Sequence, residues 1–148
     1  MNRRDFESLR DLPEKTISGL VRLSQKQATQ PLLTADRIPI ENTQGVSVWM
    51  NINYNPETGA KGINVTVAGE GPICRLDVDG SRHGDAGRSH KHAVQDENSV
   101  RRNLRDGVVP RPDLAGKRLR DVFVDFCSAS KITHHGSFED PDGEEGHA

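Results

Sequence analysis

Nothing in this chain approaches the run of about 18 apolar residues that a membrane-spanning helix requires. Its opening, MNRRDFESLRDL, also lacks the apolar stretch of a secretory signal. Aromatic residues are scarce: four Phe, one Trp and one Tyr make up 4% of 148 residues, and the hydrophobic fraction is 32%. The core must therefore be small, enough for one domain but not two. Cysteine is limited to Cys74 and Cys127, which lie in apolar segments without C-x-x-C spacing. Two buried, reduced thiols and a cytoplasmic setting are the expectation. No segment repeats. Charged residues at 28% leave some of the chain outside any core.

The net charge of −2 conceals a polarity along the chain. Five acids and no Lys or Arg fall in the last ten residues, so the rest of the chain carries +3. Residues 101–120 hold seven bases against two acids. Such a stripe can neutralise phosphates, or serve as a solvated helix face.

Apolar spacing sets the elements. Asn2–Leu12 reads as a helix with Phe6 and Leu9 apolar, closed by Pro13. Ile17, Val21 and Leu23 suggest extended chain, and Leu32–Ile40, flanked by Pro31 and containing Pro39, suits a sheet edge. Val46, Val48, Met50, Ile52 and Tyr54 alternate with polar residues, which predicts a half-buried strand. A turn at Asn55–Gly59 returns the chain through Ile63, Val65 and Val67. Trp49, on the polar side, is expected to pack under the N-terminal helix. Cys74, Leu76 and Val78 then point inward, so Arg75, Asp77 and Asp79 should share the opposite face.

Asp113 is a plausible N-cap for an amphipathic helix reaching about Lys131, whose Leu119, Val122, Phe123 and Phe126 form one stripe. The fold expected is α+β: a twisted antiparallel sheet of five to six strands with one long C-terminal helix packed on it. Residues 1–138 would form the domain, and 139–148 a disordered acidic tail.

The densest chemistry lies in Cys74–His92, which places Arg75, Asp77, Asp79, His83, Asp85, Arg88, His90 and His92 within nineteen residues. On an extended segment residues two apart point the same way, so His90 and His92 reach one target. Two chemistries remain open. The imidazoles bind a divalent metal (Zn, Mn or Mg) with a carboxylate completing the shell. Alternatively, His83, His90 and His92 transfer protons, Asp77 orienting one of them, while Arg75 stabilises charge on a phosphate. Arg88, Arg101, Arg102 and Arg105 are candidate nucleic-acid contacts. His134-His135 forms a second doublet after the helix.

Metal motifs discriminate further. The H-x-H-x-D-H pattern of metallo-β-lactamases fails, because Ala93, Val94 and Gln95 follow His92. Gly84, His90, His92 and Glu97 meet the spacing of a first cupin motif, without the glycine that motif expects beyond Glu97 or a second motif near His134.

Arg75-Leu76-Asp77, Gly80, His83, His90-Lys91-His92 and a helix carrying Phe126-Cys127 together resemble an uncharacterised family of small bacterial and phage-borne proteins, a domain of unknown function. The resemblance spans roughly residues 72–132. It implies the fold and the site cluster, and by analogy of style small toxins of toxin–antitoxin pairs. The leading expectation is a small cytoplasmic hydrolase of nucleic-acid phosphodiesters, toxin-like or defence-related, with nucleic acid or a host or antitoxin protein as partner and no membrane association. A non-enzymatic phage- or plasmid-encoded interaction or inhibitor protein, and a cupin-like metalloprotein, are the alternatives.

Overall fold

The computed structural model describes residues 1–80, 87–94 and 108–142. Helix α1 (Arg3–Asp11) begins where the Asn2 side chain accepts from the Asp5 amide, and buries Phe6 and Leu9. Short strands β1 (Lys15–Ser18), β2 (Val21–Arg22) and β3 (Ser24–Gln25) follow. The body is then built from β4 (Leu33–Pro39), β5 (Val48–Tyr54), β6 (Lys61–Val67), β7 (Gly71–Val78), β8 (His90–Ala93) and β9 (Val109–Pro110). A 3-10 turn at Pro112–Leu114 precedes α2 (Leu119–Ala129), and β10 (Ile132–His135) and β11 (Phe138–Glu139) close the described chain.

Strands β3 to β9 form one antiparallel sheet in sequence order. The fold is α+β as expected, with seven strands in place of five or six. In β5 burial alternates perfectly with sequence: Val48, Met50, Ile52 and Tyr54 go in, and Trp49, Asn51 and Asn53 stay partly exposed. Register then carries the pattern across to Val67, Val65 and Ile63 of β6, and on to Cys74 and Leu76 of β7. One face of the sheet is thus apolar, and helices α1 and α2 cover it.

Several expectations are corrected. The long helix from Asp113 to Lys131 shortens to Leu119–Ala129. Gly116 adopts a left-handed φ of +73° and gives its amide to the Asp79 carboxylate, so helix cannot run through it. Asp113 instead pairs with Arg111. The stripe itself is as read, since Leu119, Val122, Phe123 and Phe126 are all buried. Two strand pairs are parallel, β1 with β10 and β2 with β11. Spacing alone gave no sign of them, because their partners lie more than a hundred residues apart.

The chain also stays in the fold beyond residue 138. Asp140 is buried against Arg118 at 3.2 Å, and Tyr54 donates its hydroxyl hydrogen to Asp142 Oδ1 at 2.7 Å. Residues 143–148 lie outside the described ones. Trp49 does not pack under α1: it faces the other side of the sheet, where the Arg37 guanidinium stands 4.3 Å from its ring. Both cysteines are free thiols. Among the described residues no helix is long and apolar enough to cross a membrane.

Candidate functional site

Strands β7 and β8 build the site by register. Arg75 lies opposite His92, and Asp77 opposite His90. All four side chains rise from the same face, because residues two apart on a strand share a side. The imidazoles are buried, at 3% and 2% exposure, and their ring centroids are 4.9 Å apart in an edge-to-face arrangement.

Asp77 is the hub. Its Oδ2 accepts from Arg75 Nε at 2.8 Å and lies 3.4 Å from His90 Nε2 and 4.0 Å from His92 Nε2. Arg75 also reaches His92 Nε2 through Nη2 at 2.9 Å. A guanidinium can only donate. His92 Nε2 is therefore the acceptor, and its ring is neutral with the proton on Nδ1. His90 Nδ1 lies 3.1 Å from the Gly87 carbonyl oxygen, which can only accept, so that nitrogen carries a proton. In His90 this leaves Nε2 turned toward the carboxylate, as an outer hydrogen bond does for a metal-binding histidine, whereas His92 turns toward Asp77 the same Nε2 that accepts from Arg75.

Asp77, His90 and His92 each offer one donor atom, all within 4.8 Å of one another. Metal–ligand bonds of about 2.0–2.2 Å hold neighbouring donors about 3.4 Å apart. The Asp77–His90 pair already meets that spacing; His92 has to close in and release Arg75. The donor set fits a divalent cation, and the same four groups can hold an oxyanion through Arg75.

Asp79 departs from the expected face. Its backbone turns left-handed (φ 55°), and its carboxylate accepts from Lys61 Nζ at 3.1 Å and from the Gly116 amide. The Ser89 hydroxyl accepts its amide hydrogen at 3.0 Å. Asp79 thus ties β6, the turn into β8 and the turn before α2 together and serves the scaffold. Arg88 is exposed and donates through Nε to the Gly80 carbonyl. His83, Arg101, Arg102 and Arg105, with Asp85, Gly84 and Glu97, lie outside the described residues.

The rest of the basic stripe is largely committed. Arg111 pairs with Asp113 and Asp125, Arg118 with Asp140, and Arg120 donates to the Phe138 carbonyl. His134 and His135 belong to β10; His134 Nε2 donates to the Gly19 carbonyl at 2.7 Å, and the ring packs edge-on against Phe123. His134 thus ties β10 to the chain at Gly19, His135 is exposed, and both lie on a strand apart from β7 and β8. Sequence reasoning missed the Gly87 carbonyl and Ser89. The adjoining G-R-S turn into β8 was their only signal.

No protein-family model, curated protein sequence or solved structure matches this chain.

Proposed function

We propose that Asp77, His90 and His92 form a divalent-metal centre serving a small hydrolase of nucleic-acid phosphodiesters, with Arg75 holding a phosphate oxygen. What carries this reading is the convergence of one carboxylate and two buried imidazoles on a single point, with a guanidinium at its edge. Two nitrogens and one oxygen suit Zn or Mn better than Mg, which prefers an all-oxygen shell. A metal so held supplies a water that ionises near neutral pH. Asp77 and Arg75 are the more open members, at 28% and 37% side-chain exposure, and they mark the side from which substrate approaches. The toxin-like or defence-related setting, with a host or antitoxin partner, rests on the motif resemblance.

The test combines metal analysis of the purified full chain with cleavage of single-stranded RNA and DNA in the presence of Zn, Mn or Mg. Asp77→Asn and His92→Ala should each lower metal affinity and cut the rate by about 10²–10⁴, with the melting transition retained. Undiminished cleavage in both folded variants would sink the proposal.

A second reading, a non-enzymatic interaction or inhibitor protein, is favoured by the burial of both imidazoles and by the committed state of Arg111, Arg118 and Arg120. A stoichiometric complex with a host protein that survives His90→Ala would favour it. A cupin-like metalloprotein is less favoured, since among the described residues the sheet is open, with β3 and β9 as its ends.

A further inference from the structure

A cavity of about 200 Å³ lies between the apolar face of the sheet and the two helices. Phe6 and Leu9 of α1, Phe126 of α2, and Val48, Val65 and Leu76 of the sheet supply its apolar wall. An apolar void that could hold several waters gives them few hydrogen-bond partners, and a space of about 150 Å³ with such walls accepts a benzene ring. The lining is also strongly biased in charge. It includes six cations (Arg3, Arg10, Lys15, Arg75, Lys91 and Arg111) and one carboxylate, Asp125.

Most of these cations are already engaged. Arg10 pairs with Asp11, and Arg111 with Asp113 and Asp125. Arg3 binds Glu7 and the Val94 carbonyl, and Lys15 the carbonyls of Arg10 and Leu12. Arg75 belongs to the Asp77 cluster. Lys91 differs. It stands between His90 and His92, so strand alternation sends it to the opposite face of β8, across from Leu76. It is exposed at the edge of the cavity, and among the described residues no carboxylate pairs with it.

We propose that this cavity binds a small amphipathic anion: a carboxylate on an aliphatic chain or single ring of about six to eight carbons. The apolar part fills the space between Phe6, Val65 and Phe126, and the Lys91 ammonium holds the carboxylate. The apolar wall and Lys91 come from the face of β7 and β8 opposite Asp77, while Arg75 and His92 of the Asp77 cluster also border the cavity.

Octanoate and octanol, titrated into the full-length chain and followed by amide chemical shifts, test this directly. Octanoate should give saturable shifts at Leu9, Val65, Leu76 and Phe126, and bind at least about fivefold more tightly than octanol, the worth of one partly exposed ion pair. Lys91→Gln should bring octanoate down to the octanol level and leave octanol unchanged. Cys74→Leu, which fills the cavity wall, should weaken both. Absence of saturable shifts at those residues, equal affinity for the two probes in the native chain, or octanoate binding unaltered by Lys91→Gln would each overturn the proposal. The native-chain comparison decides the matter even if Cys74→Leu does not fold.

Discussion

In the metal centre proposed above, Arg75 is the residue that competes with the ion. It neutralises Asp77 and occupies the His92 lone pair, both of which a metal would claim. Removing its charge should therefore strengthen metal binding while weakening capture of an anionic substrate. Arg75→Gln is expected to raise Zn or Mn affinity by about tenfold, the Coulomb effect of one nearby cation near water, and to raise KM for a phosphodiester. Isothermal titration and steady-state kinetics report the two changes separately. A drop in metal affinity would mean that Arg75 orients the ligands instead of competing with the ion.

Lys15 offers a pH test at the same scale. It is 3% exposed, with its ammonium donating to the carbonyls that end α1. Burial pushes its pKa from 10.5 down to about 8, against the attraction of Asp11. Below pH 8 the lysine is charged in both folded and unfolded chains, and folding bears the full cost of burying that charge. Between pH 8 and 10.5 the unfolded chain holds a proton that the folded chain has released, so this group's contribution to stability rises with pH. Above about pH 9 the thiols of half-buried Cys74 and buried Cys127, and then Tyr54, all pushed up to about 12, act in the opposite sense. The comparison with Lys15→Met isolates the lysine. The native chain should gain on the variant by on the order of 1 kcal/mol from pH 8 to 10 in denaturant melts. Parallel curves would refute the assignment.

Among the elements, the crossing of the chain between β1 and β10 depends on one glycine. Gly19 donates its amide to the His135 carbonyl at 2.8 Å, and a Cβ on Gly136 would run into the Gly19 carbonyl group, whose carbon would stand 2.6 Å away. That obstacle is backbone and cannot swing aside. Gly136→Ala should destabilise by about 3 kcal/mol or more through overpacking, seen as a lower thermal midpoint, while Gly45→Ala meets no neighbour and bears only its own backbone strain. Equal losses at both positions would argue against the close approach. The alternating strands β5 to β7 and the α2 stripe were legible because each is a local period set by burial on one face. The helix start was not, because Gly116 is held by Asp79, thirty-seven residues earlier. Spacing near Asp113 could not reveal that partner.

For the whole molecule, the segment after β11 works as a clasp. Asp140 faces Arg118 and accepts the Arg120 amide, and Asp142 takes the Tyr54 hydroxyl, so the C-terminal strand is fastened to both α2 and the sheet. Asp140→Ala removes a fully buried carboxylate from its ion pair and should lower stability by about 3 kcal/mol. Truncation after Glu139 should be no less damaging, since it removes Asp142 as well. Chemical denaturation of the two variants gives the comparison, and a truncated chain as stable as the native one would remove the clasp from the account.

Alternation of apolar and polar residues determined, without any structure, that Arg75 and Asp77 share a strand face and that His90 and His92 share another. A side chain's face follows from backbone geometry a few residues long. That the two faces are one surface was decided by the β7–β8 register, which places Arg75 against His92 and Asp77 against His90. Tertiary structure also took Asp79 away from that surface and gave it to Lys61 and Gly116. It drew the acidic residues 140 and 142 into the fold as well, because a carboxylate's partner is chosen by contacts between distant segments, which no local period encodes.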